Sequence, residues 1–403
     1  MSWSDTDNLE HGPEAQGEGP TRRSFLRGAA GLVLAGAGSS ALAACGASTG
    51  GVSGGHGPND VGSLNVMTWQ GYELPTKQVP AIVPWLKKAH ASLDTTYITD
   101  NDEIIAKLQS GGGAGLDLVN MGQQNKKAFQ TLDLLQPIDA SKIPNLKNLY
   151  TQFKGKRGDT WIWADGKRYA VPVAWGVGAL NYDATVVKTP PTSYSALFEP
   201  QYRGKIVTYD SVNDVFGQIA IILGINYGQM TTADLNKVKA YAARLLNEAG
   251  MVVTPSLGDV SSRFADKSAV LAFPGYSIVN VYAAQAGNKN IKFTVPKEGS
   301  FIYVDNWAIP KTASNVDGAL AFINETLVPK ISAAGTNYRD DGNVCVPASL
   351  PYLNKLAKSL YPYHDLAPFI AKATFGMDPP VASKTYVTAT QANEAWQQLK
   401  ASA

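Results

Sequence analysis

Asp305 lies inside the apolar run Phe301-Ile302-Tyr303-Val304-Asp305-Asn306-Trp307-Ala308-Ile309-Pro310. A carboxylate in such a strand costs several kcal/mol unless it is paired. A cationic ligand is one candidate partner; a structural Arg or Lys, or a following turn, is another. Trp69 and Tyr72 come directly after the apolar segment Leu64-Asn65-Val66-Met67-Thr68. Their faces attract ammonium groups by about 0.5 to 2 kcal/mol each, and plain packing competes for them. Asp210 and Asp214 follow Ile206-Val207-Thr208 and flank a helix start, where capping is the competing role. Taken together, these aromatics and carboxylates at strand ends describe a box for an amine.

Other chemistries find less support. The chain has no Gly-x-Ser-x-Gly elbow, Walker loop, His-Glu-x-x-His or Cys-x-x-Cys. Its four histidines are His11, His56, His90 and His364, too few for a histidine metal site once the N-terminal segments are set aside. Cys345 and His364 could form a thiol-imidazole pair, yet a cysteine between Val344 and Val346 reads as a small core residue. Tyr361, Tyr363 and His364 suggest a ferric site, with packing the stronger reading. No catalytic residue, metal or cofactor is expected.

The elements that position these residues begin after an export signal. Thr21-Arg22-Arg23-Ser24-Phe25-Leu26-Arg27, a mildly apolar run from Gly28 to Ala41, and Leu42-Ala43-Ala44-Cys45 follow one another as a signal peptide requires. The arginine pair with Phe25-Leu26 resembles a twin-arginine signal, and the box ending in Cys45 resembles a lipoprotein signal. Residues 1–44 are therefore expected to be removed and Cys45 to carry lipid, with residues 45–62 a flexible tether at the outer face of a bacterial cytoplasmic membrane.

Of 403 residues, 359 remain after 1–44, too many for one hydrophobic core. A formal charge of +2 gathers neither nucleic acid nor an anionic membrane surface. With only two cysteines, one of them Cys45, the fold must rest on packing. Strand and helix patterns alternate: Leu64–Thr68, a helix through Leu86, Leu116–Val119, Lys205–Thr208, a helix from Val215 to Leu223, and a helix capped by Thr231 and Asp234. This alternation predicts an α/β fold with mostly parallel sheets. A hinge is placed near Trp175-Gly176, giving one lobe from 63–175 plus 306–350 and another from 176–305 plus 351–403.

From Leu64 onward the chain resembles the spermidine/putrescine-binding proteins of ABC transporters, a branch of the extracellular solute-binding proteins. The residues that carry the likeness are Met67-Thr68-Trp69-Gln70-Gly71-Tyr72, Leu116-Asp117-Leu118-Val119, Tyr169-Ala170-Val171-Pro172-Val173-Ala174-Trp175-Gly176, Phe198-Glu199-Pro200-Gln201-Tyr202-Arg203-Gly204-Lys205, Val295-Pro296-Lys297-Glu298-Gly299 and Asp305-Asn306-Trp307-Ala308-Ile309-Pro310. The resemblance implies a type II periplasmic-binding-protein fold of two α/β lobes that close over a ligand. It implies that Asp305 holds an amine, that Asp214 helps at the other end, and that Tyr72 and Tyr303 are walls. Phe273 stands where the relatives carry a tryptophan, Gly71 and Ser211 where acids are found, and Gln124 where a tyrosine is found.

The expected ligand-binding set is Trp69, Gln70, Tyr72, Gln124, Trp175, Ser211, Asp214, Phe273, Tyr303 and Asp305. A box with fewer acids fits a short or singly charged amine, or an amino acid whose carboxylate uses Gln124, Ser211 or backbone donors. The expectation is thus a monomeric substrate-binding lipoprotein of an ABC importer, working with permease and ATPase subunits and capturing a putrescine- or spermidine-type amine. An amino acid or opine is the alternative cargo, and a surface enzyme acting on small amines or glycans the alternative from another class.

Overall fold

The computed structural model describes residues 60–98, 101–111, 113–156, 159–340, 342–360, 374 and 379–403. The export signal, Cys45, residues 45–59 of the tether, Tyr361, Tyr363 and His364 lie outside the described residues.

The strands are β1 Ser63–Thr68, β2 Ser92–Tyr97, β3 Leu118–Gly122, β4 Ala170–Val177, β5 Ala179–Asp183, β6 Ile206–Tyr209, β7 Val252–Thr254, β8 Leu271–Gly275, β9 Ile291–Thr294, β10 Ile302–Ala308 and β11 Asn343–Val344. They form a six-stranded sheet in the order β11-β4-β10-β3-β1-β2 and a five-stranded sheet in the order β7-β6-β8-β5-β9. β1 pairs in parallel with β2 and β3, and β6 with β7 and β8. β4, β5, β9, β10 and β11 all pair antiparallel. The sheets are therefore mixed rather than mostly parallel, because the strands next to each crossing run back against their neighbours.

The chain passes between the sheets at Gly178 and again over 295–301. Gly178 donates its N–H to Phe301 O at 3.0 Å, and a Cβ on Gly178 would lie 2.4 Å from the Phe301 ring. The two passages thus pack on each other, and only glycine permits that approach. The expected divisions at 175/176 and 305/306 fall within β4 and β10, so Trp175, Gly176 and Asp305 all belong to the six-stranded sheet.

Local chemistry accounts for the elements that support the cleft. β3 is buried at every position, as a central strand between β1 and β10 must be. Asp117, 1 % exposed, precedes it and accepts from the N–H groups of Asn65, Ser314 and Asn315 at 2.8 to 3.1 Å, tying β1 to the loop before the helix Val316–Thr326. The capping box of Thr231 and Asp234 starts the helix Thr232–Asn247, which buries Leu235, Val238, Ala242 and Leu245 against the second sheet's core. Trp396 of the helix Ala389–Ala401 packs on Phe216 in that same core, whereas Leu353 and Ala357 pack with Ala333 and Val344 beside the first sheet.

Candidate functional site

Along β10, buried Ile302 and Val304 alternate with half-buried Tyr303 and Asp305. The phenol and the carboxylate therefore share one face of the strand. Beyond Asp305 the pairing with β4 slips: Asp305 faces Ala174, but Asn306 faces Pro172. Pro172 has no N–H for the ladder, and a bulge at that point re-aims the side chains around it. Asn306 holds the bend, donating to Met121 O and Val304 O at 2.9 Å and accepting from the Trp161 indole at 2.6 Å.

The Tyr72 hydroxyl, from the turn after β1, donates to Asp305 Oδ2 at 2.5 Å. Asp305 is paired in register with Gly122 of β3, and the Gln124 amide fills the space a side chain there would take, 2.6 Å from the position of its Cβ. Directly opposed residues project from the same face, so this amide and the Asp305 carboxylate are neighbours. Tyr303 likewise lies across its register partner, Gly176 of β4, where a Cβ would come within 2.2 Å of the Tyr303 Cζ.

The second sheet supplies the facing wall. Tyr276 follows β8 and stands 5.8 Å from Tyr303 and 6.1 Å from Phe301, with Tyr209 of β6 5.9 Å away on its other side. Asn181 of β5 anchors it, accepting from the Tyr276 N–H at 2.7 Å and donating to its carbonyl at 3.0 Å. Lys127, beyond β3, donates to Gly228 O on the second sheet's side at 3.2 Å. A carboxylate with a phenol donor, a primary amide and aromatic faces from both sheets suit an ammonium group.

The expected set divides on this geometry. Tyr72, Gln124, Tyr303 and Asp305 come together; Trp69 is half-buried and Gln70 exposed just before Tyr72. Ser211 caps the helix Val212–Ile222 by accepting from the Asp214 N–H at 3.4 Å, and Asp214 is half-buried in that first turn. Asp210 is tied elsewhere, accepting from Trp396 Nε1 at 2.7 Å and Lys400 Nζ at 2.5 Å.

Trp175 and Phe273, expected in the ligand-binding set, lie instead in the core. Trp175 pairs with Val304, on the face opposite Asp305, is 0 % exposed, and donates its indole N–H to Val344 O at 2.9 Å. Phe273 is also 0 % exposed and meets Tyr194 edge-on at 5.4 Å. Tyr276, three positions later, is the residue after β8 that meets Tyr303.

Sequence reasoning also missed Tyr209, Glu73 and Arg339. Glu73 stands two positions past Gly71 and accepts from the Gly71 N–H at 2.6 Å and the Tyr97 hydroxyl at 2.8 Å. Partial burial, the Glu73 bond and the Glu73 charge push the Tyr97 phenol up to about 12. The signal for Tyr276 was present, a Gly-Tyr pair closing the apolar run Leu271–Phe273. Arg339 had none, since only the tertiary fold sets its guanidinium over Tyr72, 4.2 Å from the ring centroid. Burial pushes the Cys345 thiol well up, with the Asp305 charge adding to it and Arg339 opposing, so this cysteine is not a poised thiolate.

Residues 66–353 match the model of the bacterial extracellular solute-binding proteins. The chain belongs to that family. This solute-binding protein is 28% identical over 364 residues to the spermidine/putrescine-binding periplasmic protein of Salmonella typhimurium, covering 89% of this chain and 97% of the relative. It is 28% identical over 291 residues to the putrescine-binding periplasmic protein SpuD of Pseudomonas aeruginosa, covering 68% and 76%. Its fold matches that of the spermidine/putrescine ABC transporter substrate-binding protein of Streptococcus pneumoniae, solved with calcium and HEPES. The TM-score is 0.67 at 19% identity, over 84% of this chain and 99% of that one. The architecture is the two-lobed type II periplasmic-binding fold, and its relatives are transport proteins that bind substrates, not enzymes. The surface-enzyme alternative is set aside on that ground. Among the described residues, no helix is long and apolar enough to cross a membrane.

Proposed function

We propose that this solute-binding protein is the lipid-anchored capture subunit of an ABC importer, taking a small solute that bears a primary ammonium group, with putrescine and spermidine as first probes. The observation that carries this reading is the Asp305 carboxylate, held by the Tyr72 hydroxyl and walled by Tyr303 on one face of β10. The relatives bind polyamines by name, which supports the ammonium group without selecting the rest of the cargo.

Lobe closure is the proposed mechanism. Asp305, Tyr72, Gln124 and Tyr303 come from the six-stranded sheet, and Tyr276 and Asp214 from the side of the five-stranded one. A ligand that touches both groups favours the closed form by the free energy of the contacts it makes only there. The packed passages at Gly178 and Phe301 serve as hinge. The permease and ATPase partners read the closed state, and the protein acts as a monomer on the tether behind Cys45. Trp69 and Gln70 line the rim. Calorimetry of the mature protein with putrescine, spermidine and γ-aminobutyrate tests the ammonium reading, and absence of heat with all three refutes it.

A further inference from the structure

The ammonium site carries a cation of its own. Arg339 ends the helix Pro329–Arg339, its guanidinium carbon 4.2 Å from the centroid of the same Tyr72 ring whose hydroxyl donates to Asp305. Nη2 donates to Thr336 Oγ1 at 3.3 Å, while Nε is buried without a hydrogen-bond partner among the described residues. Arg339 also enters no ion pair among the described residues. Two of the acids around it are turned elsewhere. Glu73 accepts from Gly71 and Tyr97, and Asp340 adopts a left-handed φ of 54° and lines a groove with Asn280 and Lys292.

A buried guanidinium donor with nothing to donate to calls for an explanation. A fixed positive charge over the ring of Tyr72, whose hydroxyl holds Asp305, also works against a diamine, whose second ammonium group it repels. A planar guanidinium matches a carboxylate with paired N–H donors. Building on the ammonium reading above, we infer that Arg339 receives a carboxylate of the cargo. The site then takes a zwitterion, with its ammonium group on Asp305 and its acid group on Arg339, whose guanidinium lies over the face of the Tyr72 ring.

Two pairs of near-isosteres test this by calorimetry on the mature protein: γ-aminobutyrate against putrescine, and δ-aminovalerate against cadaverine. The wild type is expected to prefer the amino acid in at least one pair by about 10-fold or more. Arg339→Gln is expected to weaken that amino acid by about 30- to 100-fold, the loss of one charged hydrogen-bonded contact, and to leave or improve the diamine. Arg339→Lys keeps the charge and restores part of the preference. A wild type that prefers the diamine in both pairs, or an unchanged ratio in Arg339→Gln, overturns the role of Arg339 and leaves the ammonium reading standing. Absence of binding to all four compounds overturns both. Should Arg339→Gln fail to fold, the wild-type preference and Arg339→Lys still decide.

Discussion

Asp305→Asn removes a charge while conserving volume, and its Oδ1 can still accept from Tyr72, so the wall around the site stays in place. The carboxylate is half-buried and holds the Tyr72 hydroxyl at 2.5 Å. A hydrogen bond between charged partners contributes about 1.5 to 3 kcal/mol, and a sealed ion pair broken from one side costs about 3 to 5. Partial exposure sets Asp305 near the lower range, at about 2 to 3 kcal/mol. At about 1.4 kcal/mol per decade, that is roughly a 30- to 150-fold rise in Kd. Asp305→Ala also strips Tyr72 of its acceptor and is expected to lose about a further 1 kcal/mol. Calorimetry with the ligand found for the wild type reads both values. Thermal midpoints of the unliganded proteins should agree within about 2 °C, since a larger fall would signal a folding defect of the order of 1 kcal/mol. Ligand at about 100 times the wild-type Kd should stabilise the wild type by about 2.7 kcal/mol and the Asn variant by well under half of that. Asp305→Asn binding within about 3-fold of wild type, with the fold intact, would refute the assignment of Asp305 as the ammonium receptor.

Gly176→Ala puts a methyl group within 2.2 Å of the Tyr303 Cζ, so the ring must leave β4. Equilibrium binding and urea unfolding should show weakened affinity and a loss of about 1 to 3 kcal/mol of stability, and unchanged values in both would refute the packing argument. Asp183 is buried; burial alone would raise its pKa, but hydrogen bonds from Thr185 and Asn288 outweigh it and hold the carboxyl below its ordinary value. Its stabilisation is therefore present above the unfolded pKa and lost as pH falls through the folded one. Asp183→Asn should lower the thermal midpoint near neutral pH, with the gap to wild type closing as the pH falls through the lowered folded pKa; a gap independent of pH counts against this. Cys45→Ser should abolish a lipid mass increment on the exported protein and release it from the membrane fraction, as mass spectrometry and fractionation would read.

Much of the candidate site was legible because its signals are local. Asp305 declares itself as a charge in an apolar strand, Tyr72 follows a short apolar run, and Thr231 with Asp234 spells a helix start within four residues. Local patterns failed where the answer depended on partners distant in the chain. β2, Ser92–Tyr97, has no apolar alternation and is a strand only because β1 pairs with it along its whole length. The division between lobes was set a few residues away from the passages, since β4 and β10 continue past Trp175 and begin before Asp305.

By itself, then, the sequence determined an α/β chain of two lobes, membership in a solute-binding family and one conspicuous carboxylate, and it raised the expectation of an export signal at its N-terminus. These depend on composition, on short-range periodicity and on motifs read in order. Only the tertiary structure decided which side of each strand faces the cleft. A strand turns successive side chains to opposite faces, so the pairing of Trp175 with Val304 sends that indole into the core, while the Pro172 bulge and two opposing glycines leave room for Asp305, Gln124 and Tyr303. The same long-range packing set Tyr276 against Tyr303 and Arg339 over Tyr72, contacts between residues far apart in the chain whose geometry no local pattern encodes.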